Sequence, residues 1–185
     1  MNTKITLKKI IGHLRTIHLH RKWVRYFCFK FGLYKQGLLH DLSKYSPTEF
    51  WESVRYYSGA DSPINAAKKD KGYSDAWLHH KGHNKHHYEY WIDYPTNKDA
   101  GLVGMKMPVK YVVEMFCDRV AASRNYNKEK YTDADALNYY LKGKGHYVIH
   151  PDTDRLLHKL LKMLAEHGED YTFTYIRRHV LHRPY

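Results

Sequence analysis

The sequence predicts an all-α fold, and three observations carry that prediction. Helix starts are explicit and repeated. Apolar residues recur at three- and four-residue spacing. Alternating strand patterns joined by hairpin turns are scarce. A first helix is expected from about residue 5 to 31. "SPTE" at 46–49 combines a serine N-cap, a proline at the first helical position and a glutamate at the third, the pattern of a capping box. "SPIN" at 62–65 repeats the Ser-Pro start. Pro108 opens "PVKYVVEMFCDRVAAS", in which Val109, Val112, Val113, Phe116 and Val120 share a face. "TDAD" at 132–135 starts a further helix. Pro151 opens "PDTDRLLHKLLKMLAEHG", with leucines at 156, 157, 160, 161 and 164 and Gly168 as the stop; residues 170–182 read as the last helix. "GHYVIH" at 145–150 reads as a short extended piece, and 94–107 is the longest irregular segment. One helical domain over residues 1–185 is expected, with a metal-site core at 13–126 and a C-terminal helical extension at 127–185.

Composition narrows the class. With 43% hydrophobic and 15% aromatic residues the chain is globular, not disordered. Thirty-one Lys and Arg against 19 Asp and Glu give a formal charge of +12, which favours anionic partners. No run of five or six basic residues marks a nucleic-acid arm. The scatter fits a small phosphorylated substrate, for instance a nucleotide, at least as well as a nucleic-acid polymer. No stretch of 18 apolar residues occurs and the N-terminus lacks a signal-peptide pattern, so no membrane partner and a cytoplasmic location are expected. Cys28 and Cys117 lie in apolar segments without a CxxC pair and read as buried thiols.

Metal-ligand residue types gather in four separated places. On the first helix His13 and His20 lie seven apart and share a face, while His18 points elsewhere. The second place is His40-Asp41, behind Leu38 and Leu39 and ahead of the Ser-Pro helix start; the leucines are expected to anchor the pair in the core. The third is "LHHKGHNKHH" at 78–87, with five histidines. The fourth is Asp118, inside the apolar stripe of the Pro108 helix, with Glu114 one turn earlier. Each has an ordinary explanation: a satisfied core histidine, a turn, an aspartate paired with Arg119 or Arg124, a surface cluster that picks up stray metal.

Their order resembles a known arrangement. A His, then His-Asp, then one or more His, then Asp, on successive helical segments, is similar to the HD-domain metal-dependent phosphohydrolases. "HDLSK" resembles the "HDIGK" of the HD-GYP phosphodiesterase branch, and "CDRVAASRNY" resembles the segment carrying that branch's final aspartate, although "HHKGHNKHH" lacks the GYP signature. This resemblance spans roughly residues 13 to 126. "GLLHDLSKYSPTEFWES" together with "GYSDAWLHHKGHNKHHYEYW" also resembles a family of small bacterial and phage proteins, over nearly the full length, that supplies no activity. The HD pattern implies His20 and His40 as ligands, Asp41 bridging two ions, Asp118 completing one shell and histidines of the cluster holding the second ion. His80 and His87 are the choices there, because helical spacing puts His80 on the face of Trp77, three residues earlier, and His87 on the face of Trp91, four residues later; His79 and His86 are the alternatives. Lys44 would face a phosphate, with Arg119 and Arg124 as further substrate contacts and Tyr88 and Tyr90 as surfaces for a base.

The resemblance implies one or two divalent ions, Mn, Fe, Zn, Ni or Co, whose bound water supplies hydroxide near neutral pH for in-line attack at phosphorus. Two further classes stand beside this: a non-catalytic nucleotide- or nucleic-acid-binding protein with a degenerate HD site, and oxidative chemistry at a di-iron centre.

Overall fold

The structure is a computed structural model, described over residues 4–97, 99 and 101–181. Among the described residues eight α-helices run in chain order: α1 Leu7–Lys30, α2 Tyr34–Leu39, α3 Pro47–Tyr56, α4 Pro63–Lys71, α5 Asp75–His83, α6 Val109–Asn127, α7 Asp135–Gly143 and α8 Pro151–Tyr175. The fold class is all-α. Its only sheet among the described residues pairs β1, Ile92–Asp93, with β2, Val103–Gly104, in antiparallel register.

The long helices make the core. α1 packs most extensively against α6, and α6 and α7 pack on α8. Val24, Phe27, Phe116, Val120, Leu157, Leu160, Leu161 and Leu164 are buried there, joined by Cys28 and Cys117. α4 and α5 pack on α3, which lies against the N-terminal half of α1. Candidate ligands sit between the α3–α5 group and the core.

Several helix starts follow the sequence. Ser46 Oγ accepts from the Glu49 amide at 3.3 Å, and Ser74 Oγ from the Trp77 amide at 3.1 Å, each satisfying a backbone donor that the first helical turn leaves free. The expected reciprocal half of the capping box is absent. Glu49 is buried with its carboxylate on two histidines, and the Ser46 amide instead donates to the Ser43 carbonyl at 2.8 Å. Gly168 breaks α8 at φ 76° and ψ −178°, so the expected stop is a kink. The chain continues through Tyr175 into a π turn at Ile176–Val180; residue 182, the expected end of the last helix, lies outside the described residues.

The segment expected to be irregular at 94–107 carries β2, and its residues 98 and 100 lie outside the described set. The 145–150 segment turns at Gly145–His146 and forms no strand, and Gly104 lets β2 approach its end: a Cβ there would stand 2.5 Å from the His150 amide nitrogen.

Leu38 and Leu39 correct a second expectation. They are about half exposed and do not anchor His40-Asp41. Two other devices do. Gly37 is buried against α1, where a Cβ would meet Cys28 and Phe29 at 3.0–3.2 Å. Arg21 donates from Nε to the His40 carbonyl at 2.9 Å and from a terminal nitrogen to the Leu38 carbonyl at 3.0 Å, holding carbonyls that the end of α2 leaves free.

Candidate metal centre

Asp41 sits at the break between α2 and the 3-10 turn Leu42–Tyr45, in the left-handed region at φ 55° and ψ 25°. His40-Asp41 is therefore not helical, and Lys44 follows across a 3-10 turn instead of an α-helical one. Asp41 is fully buried, and its two oxygens face opposite groups of donors.

On one side, Oδ2 lies 3.4 Å from His20 Nε2 and 3.4 Å from His40 Nε2. Asp118 Oδ1 completes this group, 3.0 Å from His20 Nε2 and 3.4 Å from His40 Nε2. α1 delivers His20 on the buried stripe that also holds His13, Ile17 and Val24, and α6 delivers Asp118. On the other side, Oδ1 lies 3.3 Å from His80 Nε2 and 3.5 Å from His86 Nε2, with His87 Nε2 2.9 Å from His80 Nε2. α5 ends at His83, so His86 and His87 belong to the turn beyond it; His87 is extended at φ −87° and ψ 129°. Trp77 steers both neighbours, stacked on His80 at 5.8 Å and edge-on to His87 at 4.9 Å.

These spacings suit cations. An ion held at about 2.0–2.2 Å by nitrogen or oxygen donors spaces neighbouring donors roughly 3–3.5 Å apart. Asp41 Oδ1 and His86 Nε2 are buried and take part in no hydrogen bond among the described residues. A buried carboxylate oxygen without a hydrogen bond is costly, and a cation offsets that cost. Both groups of four side chains therefore could hold an ion.

Two glutamates orient the imidazoles. Glu114 Oε1 accepts from His40 Nδ1 at 3.0 Å and faces His86 Nδ1 at 3.2 Å, and Glu49 Oε2 accepts from His80 Nδ1 at 2.8 Å. Fixing the proton on Nδ1 leaves the Nε2 lone pair for the centre. Sequence reasoning missed both roles. The signal was present for Glu114, one turn before Asp118 on the same helix, and was masked for Glu49 by its capping-box position.

The electrostatics follow from burial against opposite charge. Burial alone would raise Asp41, but His40 and Lys44 hold its carboxyl well below the usual carboxylate range. Burial opposes a proton on His40, yet without a cation Asp41, Asp118 and Glu114 push its pKa up to about 10; an ion bound at Nε2 would displace that second proton and leave the one on Nδ1 facing Glu114. Asp118 is likewise held low, against its burial, by His20 and His40, not by the arginines beside it. His87 is driven well below its ordinary value by burial and by His86 and His80.

The other expected residues sort clearly. Lys44 Nζ stands 2.6 Å from Asp41 Oδ2 with its side chain a quarter exposed. His79 is not among the donors of either group; its Nδ1 bonds Glu49 Oε1 at 2.7 Å and its ring stacks on His83 at 3.9 Å. His86, the expected alternative, is among them. His13 lies against Phe50 and Tyr57, and His18 is exposed. Arg119 and Arg124 are engaged elsewhere. Arg119 lies over the rings of Tyr140 and Tyr147, and Arg124 pairs with Glu169 and covers Trp23 and Tyr131. Tyr88 packs on Tyr147.

Comparison with known proteins places the chain by family. The model of a family of unknown function, DUF5662, matches residues 9–163. The chain belongs to that family. The match covers every donor of both groups and runs into α8, beyond the stretch over which the HD resemblance extends. No curated protein and no solved structure matches the chain. No helix among the described residues is long and apolar enough to cross a membrane.

Proposed function

We propose that this protein is an HD-like, metal-dependent phosphohydrolase acting on a small phosphoester, with a nucleotide as the first substrate class to test. One observation carries the reading: the two oxygens of a single buried aspartate face separate donor groups, His20, His40 and Asp118 on one side and His80, His86 and His87 on the other. That is the layout of a carboxylate bridging two ions. Divalent ions bound there supply an activated water and stabilise charge on phosphoryl oxygens.

The protein's own groups divide the remaining work. Asp41 would hold an ion with each of its oxygens, while Glu49 and Glu114 keep the imidazoles turned inward. Asp118 and Lys44, with side chains 17% and 25% exposed, are the members of the Oδ2 side most open to solvent, so substrate approaches there. Lys44 would exchange its contact with Asp41 for a phosphate oxygen, a charge-assisted bond. The positive charge of the chain favours an anionic substrate.

The test is a phosphoester panel with Mn, Fe, Ni and Co, run beside Asp41→Ala and beside elemental analysis of protein purified without a metal-affinity tag. Expected are two ions per chain and phosphate release, both lost in Asp41→Ala. Metal-replete protein that consumes dioxygen and releases no phosphate would replace this reading with oxidative di-iron chemistry. Protein without metal that binds nucleic acid in a steeply salt-dependent way would replace it with the binding reading.

A further inference from the structure

A cleft of about 220 Å³ opens onto the donor groups, lined by Lys35, Lys85, Lys110, Glu114 and two of the donors, His40 and His86, among others. Its lining excludes His20, Lys44 and Asp118, so it is not the approach described above. Three lysines from separate segments meet on it: Lys35 near the start of α2, Lys85 in the turn after α5, and Lys110 in the first turn of α6. None of the three pairs with a carboxylate among the described residues; Lys85 and Lys110 instead lie over the rings of Tyr90 and Tyr111 at 5.7 and 5.1 Å. The one carboxylate in the lining, Glu114, is buried and engaged with His40 and His86. The cleft thus presents ammonium groups with no internal counter-charge at its rim, and the positive end of α6 adds to the same potential.

We propose that this cleft binds a small phosphate-type polyanion through its three lysines, at a wall of the candidate centre formed by His40 and His86 and apart from Lys44 and Asp118. Its volume is below the roughly 300–1,000 Å³ usual for a drug-sized ligand, so it fits a phosphate or diphosphate group and not a whole nucleotide. The proposal holds whether or not the centre hydrolyses phosphoesters, because it rests on lysines that the centre does not use.

The test is calorimetric titration of inorganic pyrophosphate into the full chain, as purified and after removal of metal, with folding checked by circular dichroism. Expected is a binding event that persists after metal removal and in Lys44→Gln. It weakens about tenfold or more in the triple variant Lys35→Gln, Lys85→Gln, Lys110→Gln. A charge-matched control, Lys22→Gln, Lys69→Gln, Lys142→Gln, separates the cleft from overall charge. Equal losses in the triple variant and this control would overturn the proposal. So would loss in Lys44→Gln alone, or affinity weaker than about 1 mM in the parent chain.

Discussion

On the Oδ2 side of Asp41, two of the partners come from long helices: His20 from α1 and Asp118 from α6, packed face to face in the main core. On the Oδ1 side, His80 comes from the last turn of the nine-residue α5, and His86 and His87 from the non-helical turn beyond it. The first group inherits its position from helix packing. The second needs local devices: Asn84 Nδ2 donating to the His80 carbonyl at 2.8 Å and to Ser43 Oγ at 2.7 Å, Trp77 against two imidazoles, and Glu49 beneath His80. The candidate centre is thus half framework and half loop, and the halves should fail differently.

The largest effect removes what they share. Asp41→Ala is expected to take the metal content from two ions to none and to lower phosphoester turnover about a thousand-fold or more, read by elemental analysis and phosphate release. Next come the separating substitutions. His20→Ala should leave the ion on the Oδ1 side, and His87→Ala the one on the Oδ2 side, each variant analysing at one ion per chain; loss of both ions from either would mean the groups are not independent. Smaller again are the orienting carboxylates. Glu114→Gln, which touches a histidine of each group, should weaken both ions about 10–100-fold, whereas Glu49→Gln should weaken only the Oδ1 ion, in competition titrations with a chelator.

A separate effect, on stability and not on ion binding, lies beside the framework half. His13 is buried, and burial, with Lys44 adding to it, pushes its pKa down to about 4. The unfolded chain takes up this proton near pH 6.5, and the folded chain only near 4. The contribution is therefore complete above about 6.5 and is lost as pH falls toward 4, by about 3 kcal/mol in total. His13→Gln should flatten that part of the acid limb in urea unfolding between pH 7 and 4.5.

Legibility followed the same division. Helix starts opened by Pro47, Pro63, Pro108 and Pro151 could be read because capping chemistry is local. Spacing alone put His13 and His20 on one face; His20 and Asp118 were singled out by the HD resemblance, and the packing of α1 on α6 brings those two together. His80 could be read from helical spacing, three residues after Trp77. His87 was chosen on helical spacing to Trp91 that does not exist, since the chain leaves the helix at Asn84. Placing His86 beside it depended on a turn whose geometry no periodicity encodes. Glu49 and Leu38–Leu39 misled in opposite ways. A capping pattern hid a buried carboxylate, and an apolar pair that looked like an anchor lies at the surface.

The left-handed backbone at Asp41 has a mutational consequence. Aspartate, asparagine and glycine reach that region at small cost, whereas alanine pays a chirality penalty of about 1–2 kcal/mol. Position 41 thus asks for the same residue twice, once for a carboxylate and once for a handedness. Asp41→Gly restores the second without the first, so the gap in thermal stability between the glycine and alanine variants, corrected for the roughly 0.5–1 kcal/mol of extra chain entropy that glycine loses on folding, measures what the peptide geometry demands, separately from any ion.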